Sequence, residues 1–146
     1  MQKKELSDIL NGLLVQIGFK KKGNNWIKNE ITFAKIVNLQ KSNFSNVFYI
    51  NYGYIINSLP LDGMRMHIYN RVSSNNESER IAIVSLLDLD NQISDEERAN
   101  ALKIILQDCL VSKLLFIQTE TDLREQLKTR PHLNDIVPAV KKYLKL

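Results

Sequence analysis

Leu6, Ile9, Leu10, Leu13, Leu14 and Ile17 recur at three- and four-residue spacing, while Lys4, Asp8, Asn11 and Gln16 fall elsewhere. That pattern predicts an amphipathic helix with one apolar stripe. Gly18 is placed to end it in the left-handed conformation, which folds Phe19 back towards Leu13 or Leu14. The segment Lys20–Asn25 then reads as a turn, with Gly23-Asn24 supplying residues that tolerate positive φ.

Strand patterns follow. Trp26-Ile27-Lys28 is short. From Ile31 to Gln40 the chain alternates loosely, with Ile31, Phe33, Lys35, Val37 and Leu39 on one side and Thr32, Ala34, Ile36, Asn38 and Gln40 on the other. Val47 to Asn57 is rich in β-branched and aromatic residues. The links between these runs are short, so the strands should pair antiparallel as a meander; parallel pairing needs a long crossover. Leu59-Pro60-Leu61-Asp62-Gly63 predicts a turn, Met66–Val72 a fourth strand, and Ser73–Ser78 a surface connection. Glu79–Asp90 carries two signals, because Ile81, Ile83 and Val84 favour a strand whereas Val84 and Leu87 also suit a short helix.

The back half reads as helical. Ser94-Asp95-Glu96-Glu97 has the spacing of a capping box, with its acids set favourably against the helix dipole. A helix should run from there to about Leu115, with Leu102, Ile105, Leu106, Cys109 and Leu110 facing the sheet or another helix. Thr119 or Thr121 can cap a second helix through Leu127, and a third spans about Ile136 to Leu144, where Pro138 is tolerated in the first turn. The expected fold is α+β. An antiparallel meander of about four to five strands is packed on one side by the N-terminal helix and two to three C-terminal helices.

Composition narrows the class. With 146 residues, 44% apolar and 25% charged, the chain suits a single α+β domain over residues 1–146. Cys109 is the only cysteine, so no intrachain disulfide can form, which fits a reducing compartment. Glu5, Ser7 and Asp8 interrupt the start where a signal peptide needs an apolar region. The runs Ile81–Val84 and Leu114–Ile117 are too short to span a bilayer. The expectation is a cytoplasmic, bacterial-style protein with no membrane contact. Charge is uneven: residues 1–73 hold ten Lys/Arg against four Asp/Glu, and residues 74–146 hold ten against twelve. Clustered cations attract polyanions or acidic partners, although an ordinary solvated basic surface accounts for the same count.

Catalytic and metal chemistry find little support. Gly18-Phe19-Lys20-Lys21-Lys22-Gly23 has two glycines and three lysines, but Asn24-Asn25 follow where a phosphate loop needs Lys-Ser/Thr. The order helix, turn, strand is also the wrong context. His67, Cys109 and His132 lie on different elements without ligand spacing. Cys109 on an apolar stripe reads as an inert core thiol, and His67 as a packed or surface residue. Asp88 and Asp90 would share a face on a strand, a common spacing that a solvated pair explains. No catalytic residue, metal ligand or cofactor is assigned, and an enzyme of unrecognised type stays open as an alternative.

The polar residues inside the strands are more informative. Asn38 and Gln40 share one face of their strand, and Tyr49, Asn51 and Gly53 one face of the next. Amides lower strand propensity and cost stability unless paired or exposed. If the two faces coincide, the sheet presents amides and tyrosine edged by Lys41 and by Lys22, Arg65 or Arg71. Such a surface suits a protein partner or a polyanion. A merely wet sheet face explains the same pattern.

The segments GFKKKGNNWIK, VNLQKS, FYINYGY and ERIAIVSLLDLDNQISDEER resemble the bacterial family called domain of unknown function 4304, over nearly the whole chain. The resemblance implies a small stand-alone α+β protein and carries over no catalytic residue. It singles out Trp26, the aromatic after the Gly-Asn turn, and the Leu39-Gln40-Lys41-Ser42 match. The binding candidates are therefore Lys22, Trp26, Asn38, Gln40, Lys41, Ser42, Tyr49 and Asn51. The leading expectation is a non-enzymatic interaction module with an unknown protein partner, a toxin being one by analogy of size and style only. Nucleic-acid binding through Lys20, Lys21, Lys22, Lys41 and the tyrosines is the alternative.

Overall fold

A computed structural model describes residues 1–146. Helix α1 (Lys3–Val15) precedes five strands: β1 (Lys20–Lys22), β2 (Asn25–Asn29), β3 (Phe33–Lys41), β4 (Phe48–Ile56) and β5 (Ile68–Arg71). The strands form one antiparallel sheet in the order β1-β2-β3-β4-β5, each hydrogen-bonded to its sequence neighbour. Helices α2 (Glu77–Leu86), α3 (Asp95–Leu106), α4 (Ser112–Phe116), α5 (Glu120–Lys128) and α6 (Pro138–Leu144) follow, with a π-helical turn at Gln107–Val111 between α3 and α4. The fold is the α+β meander that the periodicity predicts.

Local chemistry sets the boundaries. Gly18 takes φ 94°, and the Gly18 and Phe19 amides donate to Val15 and Leu14 carbonyls at 3.1 Å each. These two bonds close a Schellman motif and deliver Phe19 into the core beside Leu14. The lysines at 20–22 form the edge strand β1, joined to β2 by a two-residue turn in which Gly23 supplies φ 62°. A lysine-lined edge resists pairing with another chain.

Opposed residues share a face of a sheet, so the register sorts the side chains. Phe33, Val37 and Leu39 of β3 lie with Phe48, Ile50, Tyr52, Tyr54 and Ile56 of β4 on the helix-covered face. There they build two apolar clusters. One packs against Leu6, Leu10 and Leu14 of α1 and Leu102 and Leu106 of α3, the other against α5 and α6. Lys35 belongs to the same face and is buried; its Nζ lies 2.6 Å from the Leu114 carbonyl at the end of α4 and 3.5 Å from Glu30 Oε1. A cation at a helix C-terminus is favourable, while burial, the largest influence, holds the amine below its ordinary pKa.

Residues 79–90 are resolved as the helix α2 and a following turn. Ile83 and Leu86 are buried while Ile81 and Val84 are each 60% exposed. The expected helix from Ser94 to Leu115 is interrupted by the π turn, which buries Cys109, Leu110 and Val111 in succession. Ser94 caps α3 by accepting from the Glu97 amide at 3.2 Å, without the reciprocal half of a capping box. Arg98 of α3 is fully buried with no carboxylate partner. It donates to the Leu86, Asp88 and Asn91 carbonyls and so ties down the α2–α3 connection.

Candidate functional site

One row of side chains crosses the whole sheet on the face opposite the helices. Lys22 opposes Asn25, Asn25 opposes Asn38, Asn38 opposes Asn51, and Asn51 opposes Arg71. Gln40 and Tyr49, directly opposed, form the next row towards the β3–β4 hairpin. Asn38, Gln40, Tyr49 and Asn51 therefore share a surface.

The amides bind one another. Asn38 Nδ2 donates to Asn25 Oδ1 at 2.8 Å, and Asn51 Nδ2 donates to Asn38 Oδ1 at 3.2 Å and to Gln40 Oε1 at 2.9 Å. Arg71 closes the network, its Nε donating to Asn51 Oδ1 at 3.1 Å and its Nη2 to Gln40 Oε1 at 3.2 Å. Arg65 Nη1 donates to Asn38 Oδ1 at 3.4 Å from the β4–β5 connection. The buried Asn38 and Asn51 thus have both ends of their amides engaged, which offsets the cost of burying them. With only one acceptor site, on Asn51 Oδ1, left without a donor, they set the geometry of their neighbours.

What they set is the guanidinium of Arg71, stacked 4.1 Å from the Tyr49 ring centroid. Arginine over a tyrosine face is favourable through the ring quadrupole. The Arg71 Nη2 also lies 3.4 Å from the Tyr69 hydroxyl. Gln40, Arg65, Tyr69 and Arg71 are exposed and Tyr49 is half-buried. The centre of the face is closed: Met66 lies over Gly53, where an added Cβ would stand 1.8 Å from the Ile68 carbonyl oxygen and 2.6 Å from the Met66 sulfur. The accessible surface is accordingly a polar, cationic strip beside that closed centre. No aspartate or glutamate occupies the face rows of the sheet.

Other candidates lie apart. Trp26 opposes Val37 on the helix-covered face, is fully buried and donates from Nε1 to Asn11 Oδ1 at 3.1 Å. Lys41 is exposed at the end of β3, with Nζ 3.1 Å from the Ser45 carbonyl, and Ser42 Oγ accepts from the Phe44 amide at 3.2 Å. Both belong to the hairpin tip, where Phe44 is 96% exposed. Asn25 and Tyr69 join the network without having been singled out from the sequence, because their membership depends on register.

The titratable residues are occupied. His67 Nδ1 accepts from the Ile56 amide at 2.9 Å and Nε2 stands 2.9 Å from the Pro60 carbonyl, so the proton is on Nε2. Cys109 Sγ donates to Glu79 Oε1 at 3.1 Å; burial first, and then Glu79, push the thiol up to about 11. Glu79, Asp108 and Cys109 bring three ligand atoms within 4.8 Å of one another, and holding an ion there would require the thiol to lose that proton. Asp88 and Asp90 sit in the turn after α2, where Asp88 accepts from the Asp90 amide and Asp90 from Asn46.

Fold and face together define a small α+β protein whose helices cover one side of a meander and whose other side carries a polar ladder. The sequence profile of the family described as Domain of unknown function (DUF4304) matches residues 10–128, and the chain belongs to that family. No curated protein and no solved structure matches it. No helix is long and apolar enough to cross a membrane.

Proposed function

We propose that this chain is a non-enzymatic recognition module, folded as one unit over residues 1–146, which binds an acidic protein surface through the ladder face. The observation that carries the reading is the Arg71 guanidinium, held by Asn51 and Gln40 over Tyr49 beside Arg65 on a face whose rows lack acids. A pre-positioned arginine on an aromatic loses little freedom on binding, and with Nε and Nη2 engaged by Asn51, Gln40 and Tyr69 it keeps its Nη1 donors for a carboxylate. Tyrosine and arginine are also the residue types that dominate binding energy at interfaces. Lys22 and the adjacent Lys20 extend the positive strip to the β1 edge, and Ser42 lies beyond it at the hairpin tip, whereas Lys41, opposed to Phe48, belongs to the helix-covered side. An unpaired Cys109 suits a reducing, cytoplasmic setting.

The test is a pull-down from extracts of the source organism with wild type and with Gln40→Ala plus Arg71→Glu. The wild type should retain one specific partner that the variant loses. Equal recovery by both proteins contradicts the proposal. A partner that proves to be nucleic acid, released steeply by added salt, replaces the protein-binding reading with the polyanion one.

A further inference from the structure

On the opposite, helix-covered side the sheet and the α4–α5 helices do not close on each other. A cavity of about 500 Å³ remains between β4, β5, α4 and α5, within the size range of small-molecule sites. Tyr52 and Tyr54 line it. These neighbouring residues on one face of β4 are 8% and 4% exposed. No protein group hydrogen-bonds either hydroxyl, and neither hydroxyl is sealed away as a buried orphan. Two otherwise buried phenols thus keep free hydrogen-bonding groups at a cavity, although buried polar groups are generally paired.

The remaining walls give the complementary chemistry. Ile117, Leu123 and Leu127 make an apolar floor, and Lys113 and Arg130 bring two cations. No carboxylate lines the cavity, nor the shallower groove that continues it past Tyr52, Asn70 and Lys113. Arg130 is spent on Asp135, on the Tyr69 carbonyl and on Asn70 Oδ1, whereas Lys113 has no ion-pair partner within 4 Å. The π turn at Gln107–Val111 lies immediately before Ser112 and Lys113, and such turns are frequent at functional sites. Burial raises both tyrosines above their ordinary pKa, so the phenols remain neutral donors.

We infer that this cavity binds a small amphipathic anion, with its carboxylate or phosphate head at Lys113 and the Tyr52 and Tyr54 hydroxyls and its apolar body against Ile117, Leu123 and Leu127. The inference is independent of the ladder-face reading, since it uses the other side of the sheet.

The experiment is an amide NMR titration of the full chain with octanoate, octyl phosphate, octanol and octylammonium. Octanoate, octyl phosphate or both should give saturable shifts at Lys113, Gln126 and Leu127, and whichever binds identifies the head. Octanol and octylammonium should bind at least about tenfold more weakly, the equivalent of about 1.4 kcal/mol. Lys113→Met, at an exposed position, should weaken the bound anion by about tenfold, and Tyr54→Phe by about fivefold, consistent with losing one hydrogen bond. The wild-type comparison stands even if Tyr54→Phe disturbs folding. Octanol binding as tightly as the anions, shifts confined to other parts of the chain, or no saturation by either anion at about 1 mM overturns the inference.

Discussion

Asn51 stands directly across the β3–β4 ladder from Asn38, with its Nδ2 3.2 Å from the Asn38 Oδ1, and both side chains are buried. Each amide is hydrogen-bonded at both its oxygen and its nitrogen by the other and by flanking residues, so the pair is both a structural element and the base on which Arg71 is mounted.

Removing one member leaves buried partners unpaired. Asn51→Ala strips Asn38 Oδ1 of one donor and Arg71 Nε of its acceptor, and should cost about 1–3 kcal/mol of unfolding free energy. Urea unfolding measures this directly. A loss below about 0.5 kcal/mol, the usual range of surface substitutions, would show that the amides are solvated and do not depend on each other.

Gly53 is required by close approach. A Cβ there would meet the Ile68 carbonyl oxygen at 1.8 Å, and backbone cannot step aside as a flexible side chain can. Gly53→Ala should therefore destabilise the protein by about 3 kcal/mol or more, read as a fall in denaturant midpoint. A variant as stable as wild type would mean that the β4–β5 crossing is looser than described.

Arg98 supports the connection between α2 and α3 through three backbone carbonyls. Truncation to alanine removes charged hydrogen bonds and leaves those carbonyls buried, for an expected loss of about 3 kcal/mol. Arg98→Lys should recover only part of it, since an ammonium lacks the planar fork that spans the carbonyls. Full rescue by lysine contradicts that account.

Stability should fall at alkaline pH. The Cys109 thiol has an ordinary value of 9.0 and is raised to about 11 in the fold. Its contribution is fully present below pH 9 and is lost as pH rises towards 11, because the unfolded chain binds fewer protons in that window. Tyr52 and Tyr54, also raised, act in the same direction. Lys35, lowered by burial, gives an opposing slope below its ordinary value of 10.5. Cys109→Ala should flatten the decline between pH 9 and 11 relative to wild type. Parallel declines in the two proteins rule out a thiol contribution.

Much of this architecture is legible in the sequence because its signals are local. Leu6, Leu10 and Leu14 repeat every four residues and all three are buried, and Gly18 marks the helix end by its own conformational freedom. Residues 79–90 gave two readings because Ile81 and Val84 are apolar yet exposed, so apolar identity pointed away from the face that packs. The π turn left no periodic trace beyond three consecutive buried residues. At the site, alternation alone grouped Asn38 with Gln40 and Tyr49 with Asn51, but strand register decides which groups meet. Register puts Trp26 on the covered face and brings Asn25, Tyr69 and Arg71 to the amides. The cavity beside Tyr52 and Tyr54 depends on how far α4 and α5 stand from the sheet, a distance that no pattern of residue types encodes.

The central claim is that buried Asn51 serves recognition through Arg71, and a double-mutant cycle on affinity for the partner recovered by wild type tests it most directly. Asn51→Ala and Arg71→Ala should each weaken binding by about tenfold or more, and the double variant should bind no worse than Arg71→Ala alone. Losses that multiply, or an Asn51→Ala protein that binds like wild type, would contradict it.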